Sequence, residues 1–287
     1  MKAIAFAPAH ISGFFQPIYH DNIYKTGSRG AGVNLSQGCI ATVDLNEASA
    51  QQVDIFINSK KRHSSVISTA ISQLINKKKV HLVVDLKTEL PVSQGFGMSA
   101  ASTLSTTLAI AKLIQLSRKD ALMAAHYAEV TSKTGLGDVA AADTGGIEIR
   151  EKPGIKPWGK IHQIQQSGNV VICVIDSIIS TKTILQDESY KKIIQTVGAD
   201  CTDKLLLQPS VEHFFQLSKK FTIETNLAKE KILAAIQAVE LYGMASMCML
   251  GNSVFAIGKI EKIYDILSDF GTVKICNIDK NGARIIS

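Results

Sequence analysis

Apolar and polar positions alternate along this chain in short periods, and they divide it into strands and amphipathic helices with no long structureless tract. Lys2 to Ala7 reads as a strand that ends at Ala7-Pro8-Ala9-His10, which places His10 at a strand end and Gly13 with two phenylalanines in a loop packed on the core. Gly38 to Leu45 and Val53 to Asn58 are β-branched and alternating, so the first sixty residues read as a strand-rich, largely antiparallel sheet. Between Ser64 and Ile75, Val66, Ile67, Ala70, Ile71 and Leu74 recur at spacings of three and four, the mark of a helix with one buried face. Val80 to Leu86 is a strand. Ala100 to Leu116 is apolar on nearly every side, so this helix is predicted to run through the middle of its domain.

Ser117-Arg-Lys-Asp120 reads as the capped start of a further helix, on which Leu122, Ala125 and Glu129 fall at spacings of three and four. Gly145-Gly146 and a strand from Ile147 to Arg150 follow. Glu151 to Gly159, with Pro153, Gly154, Pro157 and the single Trp, reads as a linker, and a domain boundary is placed near residue 158. Beyond it, a strand at Asn169 to Asp176 precedes helical periodicity over Asp187 to Val197, Val211 to Lys219 and Ala228 to Tyr242. Strands are predicted at Ser246 to Leu250, Ser253 to Gly258, Thr272 to Asn277 and Ala283 to Ile286, with a helix from Glu261 to Asp269. The second unit therefore reads as an α+β sandwich.

A length of 287 residues accommodates two ordinary domains. A formal charge of +6 points to an anionic partner, but the basic residues are scattered, and Lys60-Lys61-Arg62 and Lys77-Lys78-Lys79 lack the interleaved aromatics of a nucleic-acid surface. The five cysteines are widely spaced, which argues against a zinc site and against a disulfide framework and leaves a reducing cytoplasm as the expected location. No run reaches the roughly 18 apolar residues of a membrane span, so no membrane partner is expected.

The candidate chemistry gathers around Pro91-Val-Ser-Gln-Gly95-Phe-Gly97-Met-Ser99-Ala100-Ala101, where a strand gives way through glycines to the buried helix. Free amides and a partial positive charge at such a helix start suit a phosphate. G-x-G-x-x-A also describes a dinucleotide fingerprint, but the segment after Leu116 is another helix and not the strand with an acidic end that this requires. A Walker A loop is absent. Downstream, Glu129 on a helix and Asp138 after Thr134-Gly135-Leu-Gly137 complete the parts needed for phosphoryl transfer: amides for phosphates, oxygen ligands for Mg²⁺ from Ser99 and Glu129, and a carboxylate free to act on an acceptor hydroxyl. Gly27-Ser28-Arg29-Gly30-Ala31-Gly32 reads as either a hairpin turn or a binding loop that positions one Arg.

These segments resemble a known family, the GHMP kinases. Pro91-x-x-x-Gly95-x-Gly97-x-Ser99-Ala100-Ala101 is similar to the family's phosphate-binding P-x-x-x-G-L-G-S-S-A-A, and Gly135-x-Gly137-Asp138 with Gly145-Gly146 is similar to the segment that carries its catalytic Asp. The resemblance implies that ATP phosphates lie against Gly95, Phe96, Gly97, Met98, Ser99, Ala100 and Ala101, that Ser99 and Glu129 hold Mg²⁺, and that Asp138 faces the acceptor. It also implies an α+β, two-domain fold, with a ribosomal S5 domain 2-like unit over residues 1–158 and a ferredoxin-like unit over 159–287. Three departures stand out: Met98 replaces a Ser, His10 stands where relatives place Lys or Arg, and the third glycine motif is reduced to Ser246-Met-Cys-Met-Leu-Gly251-Asn-Ser253. His10-Ile-Ser-Gly13-Phe14-Phe15, the Gly27–Gly32 run, Gly135–Val139 and Ser180-Thr-Lys182-Thr-Ile-Leu185 further resemble archaeal members that act on pantoate on the route to coenzyme A. By that resemblance the substrate is a small molecule, (R)-pantoate, phosphorylated at its 4-hydroxyl; for such a substrate the candidate contacts are Arg29 first for the carboxylate, His10 for the hydroxyls, Lys182 for carboxylate or phosphate, and Ser28. Mevalonate, homoserine or shikimate as acceptor, or a nucleotide or metabolite sensor without transfer activity, are the alternatives, and a homodimer is allowed for.

Overall fold

The computed structural model describes residues 1–75, 78–176 and 188–287. In chain order the elements are β1 (Lys2–Ile18), β2 (Gly27–Glu47), β3 (Gln52–Ile57), β4 (Lys60–Lys61), α1 (Ser65–Ile75), β5 (Val80–Thr88), α2 (Met98–Leu113), α3 (Arg118–Ser132), α4 (Asp138–Thr144), β6 (Ile147–Lys152) and β7 (Lys160–Ile164). There follow β8 (Asn169–Val174), α5 (Glu188–Leu207), α6 (Val211–Glu224), α7 (Glu230–Val239), β9 (Gly243–Met247), β10 (Ser253–Gly258), α8 (Ile260–Ser268), β11 (Thr272–Asn277) and β12 (Arg284–Ile285).

A first sheet runs β12-β1-β2-β5-β3-β4, and a second, antiparallel sheet runs β11-β8-β10-β9. The 21 residues of β2 are enough to serve two neighbours: Cys39–Glu47 pairs with β5, while Gly30–Val33 pairs with β6, which in turn pairs with β7. Strands β7 and β12 lie beyond residue 158 yet belong to the first sheet, so sheet membership does not change at the proline-rich segment around Trp158. Phe14 and Phe15 of β1 meet Phe214 and Phe221 of α6 at ring-centroid distances of 6.2 and 5.8 Å, so the helices of the second unit share a core with β1.

Helix α2 is buried along almost its whole length, as its all-round apolar pattern predicts. Its embedded hydroxyls are satisfied within the helix, Ser102 donating to the Met98 carbonyl at 2.8 Å, Ser105 to Ala101 at 2.8 Å and Thr106 to Ser102 at 2.7 Å, so the interior carries no orphan hydroxyl there. The start of α3 is the predicted capping box, with Ser117 and Asp120 bonded reciprocally.

Two expectations are corrected. His10 lies inside β1, which continues to Ile18 through register shifts at Pro8/Ala9 and Ser12/Phe14, because bulges absorb the missing proline N–H without ending the strand. The Gly27–Gly32 run is neither turn nor loop but the first part of β2. In the register, Ser12 of β1 and Glu148 of β6 flank Gly32, and Arg150 lies opposite Gly30. A Cβ on Gly32 would stand 2.2 Å from His10 Nε2 and 2.4 Å from the Ile11 carbonyl oxygen. The bare strand face thus lets side chains from β1 and β6 meet across the strand between them.

Gly32→Ala is therefore expected to cost about 1–3 kcal/mol, because both clashing atoms are held in the core. Thermal unfolding monitored by circular dichroism should show a Tm several degrees lower. A variant as stable as the parent would contradict this packing.

Candidate active site

The loop leading into α2 is fixed from both sides. Gly95 and Gly97 take φ values of 81° and 57°, conformations that glycine enters without strain, and the His10 N–H donates to the Phe96 carbonyl at 3.0 Å. Behind the loop, Ser253 Oγ donates to the Gln94 carbonyl at 2.5 Å and the Met249 N–H to Ser12 at 3.1 Å. The reduced third motif is thus a support for the loop. Helix α2 has no side-chain cap, and the Ala101 N–H reaches back to Gly97 at 3.0 Å, which leaves the amides before it for an anion. Met98 points into the core, 2% exposed, whereas Ser99 is half-buried.

Glu129, 1% exposed, accepts from Ser99 Oγ at 2.7 Å, Thr103 Oγ1 at 3.0 Å and Thr134 Oγ1 at 2.8 Å. Burial pushes its carboxyl up to about 7, the hydroxyl donors of Ser99 and Thr134 working against that shift and the nearby Asp138 adding to it. Burial beside a second carboxylate is a poor setting for an anion, which the three hydroxyl donors relieve only in part. Among the described residues Ser99 and Glu129 supply hard oxygen donors for a cation that keeps most of its waters, which fits Mg²⁺.

Asp138 opens α4. A Cβ on Gly97 would lie 3.4 Å from its Oδ1, so the carboxylate stands beside the amino end of α2, and Gly135 separates it from Glu129, a Cβ there lying 2.9 Å from Asp138 Oδ2 and 3.0 Å from Glu129 Oε2. His10 Nδ1 bonds Asp138 Oδ1 at 2.8 Å and His10 Nε2 bonds Glu148 Oε1 at 2.9 Å. Arg150 pairs with Glu148 and reaches Ser12 Oγ at 3.3 Å. Asp138 keeps 26% of its side chain accessible, while those of His10 and Glu148 are fully enclosed. Burial would raise the Asp138 carboxyl, but the bond from His10 and the charges of His10 and Arg150 bring it below its ordinary value. Burial likewise opposes a charged imidazole, yet the two carboxylates outweigh it and raise the His10 pKa.

Of the sequence candidates, the structure brings together Gly95–Ala101, Ser99, Glu129, Asp138, His10 and Ser28. Ser28 Oγ and Arg150 Nε both face Gly137, where a Cβ would lie 2.4 and 2.8 Å from them. Both nitrogens of His10 are occupied by carboxylates, so it meets Asp138 and not a ligand. Arg29 is not brought in: it bonds the Glu151 carbonyl at 2.9 Å, Gln16 at 3.2 Å and Asp203 of α5, because its position alternates to the opposite face of β2 from Ser28 and Gly30. Lys182 and the rest of Ser180–Leu185 lie outside the described residues. Thr103, Thr134, Glu148 and Arg150 are site residues that the sequence patterns do not single out. A 410 Å³ surface cleft beside Ile223 and Leu233 contains none of these groups, so the site is located by its chemistry and not by concavity. No helix among the described residues is long and apolar enough to cross a membrane, and all five cysteines are unpaired.

The chain resembles known proteins along nearly its whole length. Residues 64–146, which span α1 to the Gly145-Gly146 turn, match the GHMP kinases N terminal domain. The chain is 34% identical to the pantoate kinase of Methanocaldococcus jannaschii over 95% of this chain and 99% of that one, and 32% identical to the pantoate kinase of Thermococcus kodakarensis over 92% and 91%. A solved structure described as a phosphotransferase related to the CoA biosynthesis pathway superposes with a TM-score of 0.93 at 28% identity, covering 99% of this chain and 98% of that one. A mevalonate kinase shares the fold at a TM-score of 0.66 and 15% identity, over 98% and 99%. By the match of residues 64–146 and the near full-length identity to these relatives, the chain belongs to the GHMP kinase family.

Proposed function

We propose that this chain is a pantoate kinase, transferring the γ-phosphoryl group of ATP to the 4-hydroxyl of (R)-pantoate and so supplying 4-phosphopantoate for coenzyme A. The observation that carries the transfer is the accessible Asp138 carboxylate beside the amino end of α2. The near full-length likeness to archaeal pantoate kinases supports the acceptor.

In this reading the amides from Gly97 to Ala100, at the start of α2, hold the transferred phosphate. Ser99 and Glu129 would hold Mg²⁺, which when bound would offset the negative charge of the phosphate oxygens. Asp138, kept ionised by His10, accepts a hydrogen bond from the acceptor hydroxyl and aims its oxygen at the γ-phosphorus. A carboxylate with a lowered pKa is a weak base, which suits orientation with late proton loss in a loose transition state. The new bond joins the 4-oxygen to phosphorus as the bond to the ADP oxygen breaks, and the hydroxyl proton passes by way of the Asp138 carboxylate to water. Arg150 takes the role expected of Arg29: its buried Nε has no partner among the described residues, and with Ser28 it presents donors to the substrate carboxylate.

Purified protein with ATP and Mg²⁺ should form ADP and phosphopantoate from (R)-pantoate and not from mevalonate, homoserine or shikimate, as read by coupled ADP release; turnover of one of those alcohols in place of pantoate would overturn the assignment. Asp138→Asn is expected to lower kcat by roughly 10²–10⁴-fold with ATP binding near normal, and unchanged turnover would remove Asp138 from the reaction.

Glu129 must lose its proton to bind a cation, and its carboxyl titrates at about 7. The Mg²⁺ concentration for half-maximal rate should therefore rise roughly tenfold per pH unit below that value and level off above it. A requirement independent of pH between 6 and 8 would contradict the role given to Glu129.

A further inference from the structure

We propose that Glu148 is a positioning residue for this transfer, acting through His10 to commit one oxygen of Asp138 and leave the other for the acceptor. The inference rests on the reading of Asp138 given above. Glu148 touches no surface: its side chain is fully enclosed, as is that of His10, so it meets no substrate directly.

The three groups form a line. Glu148 Oε1 holds His10 Nε2 at 2.9 Å and His10 Nδ1 holds Asp138 Oδ1 at 2.8 Å, with the ring lying over the bare face of Gly32. Each ring nitrogen has a carboxylate, so a flipped ring would put carbon against both oxygens and lose both bonds. The imidazole direction is thereby fixed from the end remote from the substrate. The charges close as well. The charged groups facing His10 are Asp138 on α4 and Glu148 and Arg150 on β6, and two ionised carboxylates balance one guanidinium only if the imidazole also carries its proton. Without Glu148 the ring loses its outer anchor and half of the negative charge that keeps it cationic.

A competing role is plain. Glu148 also pairs with Arg150, and were that all it did, its loss would act on the substrate carboxylate and raise KM. Acting through His10, its loss reduces kcat. Glu148→Gln, which keeps shape and an acceptor oxygen, is expected to lower kcat about 10–100-fold, as loss of an outer-shell partner does elsewhere, with KM for pantoate changed less than about threefold. Turnover should partly recover as pH falls from 8 to 6, because the less anchored imidazole then regains its proton, whereas the parent should show no such recovery. A raised KM with kcat intact, or a pH profile like the parent's, would overturn the proposal.

Arg150 loses its buried partner in that variant, so folding is checked by thermal unfolding, and the parent protein gives a second test that needs no substitution. In ¹⁵N-histidine-labelled parent protein, His10 should show two protonated nitrogens at pH 7.5. A neutral tautomer there would overturn the relay whether or not pantoate is the acceptor, and absence of pantoate turnover by the parent would instead refute the substrate assignment while the His10 signal still decides the relay.

Discussion

An imidazole enclosed between two carboxylates, 2.8 Å from Asp138 and 2.9 Å from Glu148, is the contact on which the rest of this site depends. Desolvating such groups costs several kcal/mol each unless charges and hydrogen bonds close around them. Closure needs side chains from β1, β6 and α4 to converge on a point above β2, and this is sterically allowed only because Gly32 brings no Cβ into that space. The long β1–β2 hairpin is the frame. Its bulges turn His10 toward the site, and its backbone also holds the glycine loop before α2 through Phe96.

Two carboxylates on either side of Gly135 meet opposite surroundings, and this separates their work. Glu129 is buried among hydroxyls, and burial pushes its carboxyl up to about 7. Asp138 has His10 and Arg150 beside it and stays ionised while remaining partly accessible. Pairs whose environments drive their titrations apart mark distinct roles in many active sites. Here the first suits a metal ligand and the second an acceptor-facing base or orienting group.

The nearness of the glycine loop, Ser99, Glu129 and Asp138 was legible, since glycines, a helix start and downstream carboxylates lie in compact segments of the chain. The buried character of α2 and the capping box at Ser117 were equally legible. The glycine-dense run was not: glycine density argues for turns, whereas Gly30 and Gly32 are glycine because neighbouring strands crowd one face of β2, a tertiary cause. Glu148 and Arg150 escaped notice for a related reason, because polar residues alternating with isoleucines in Ile147–Arg150 describe a strand with one solvated face, and only the fold shows that face to be sealed. Arg29 attracted attention by its flanking glycines, but strand alternation turned it to Asp203.

The central claim is that Asp138 and the amino end of α2 act on one acceptor oxygen. A crystal structure of the protein with (R)-pantoate and a non-hydrolysable ATP analogue tests it most directly. The 4-hydroxyl oxygen should sit within hydrogen-bond distance of Asp138 and in line with the terminal phosphorus at the start of α2. A hydroxyl bound away from Asp138, with the phosphate chain elsewhere than the loop ending at Ser99, would contradict it.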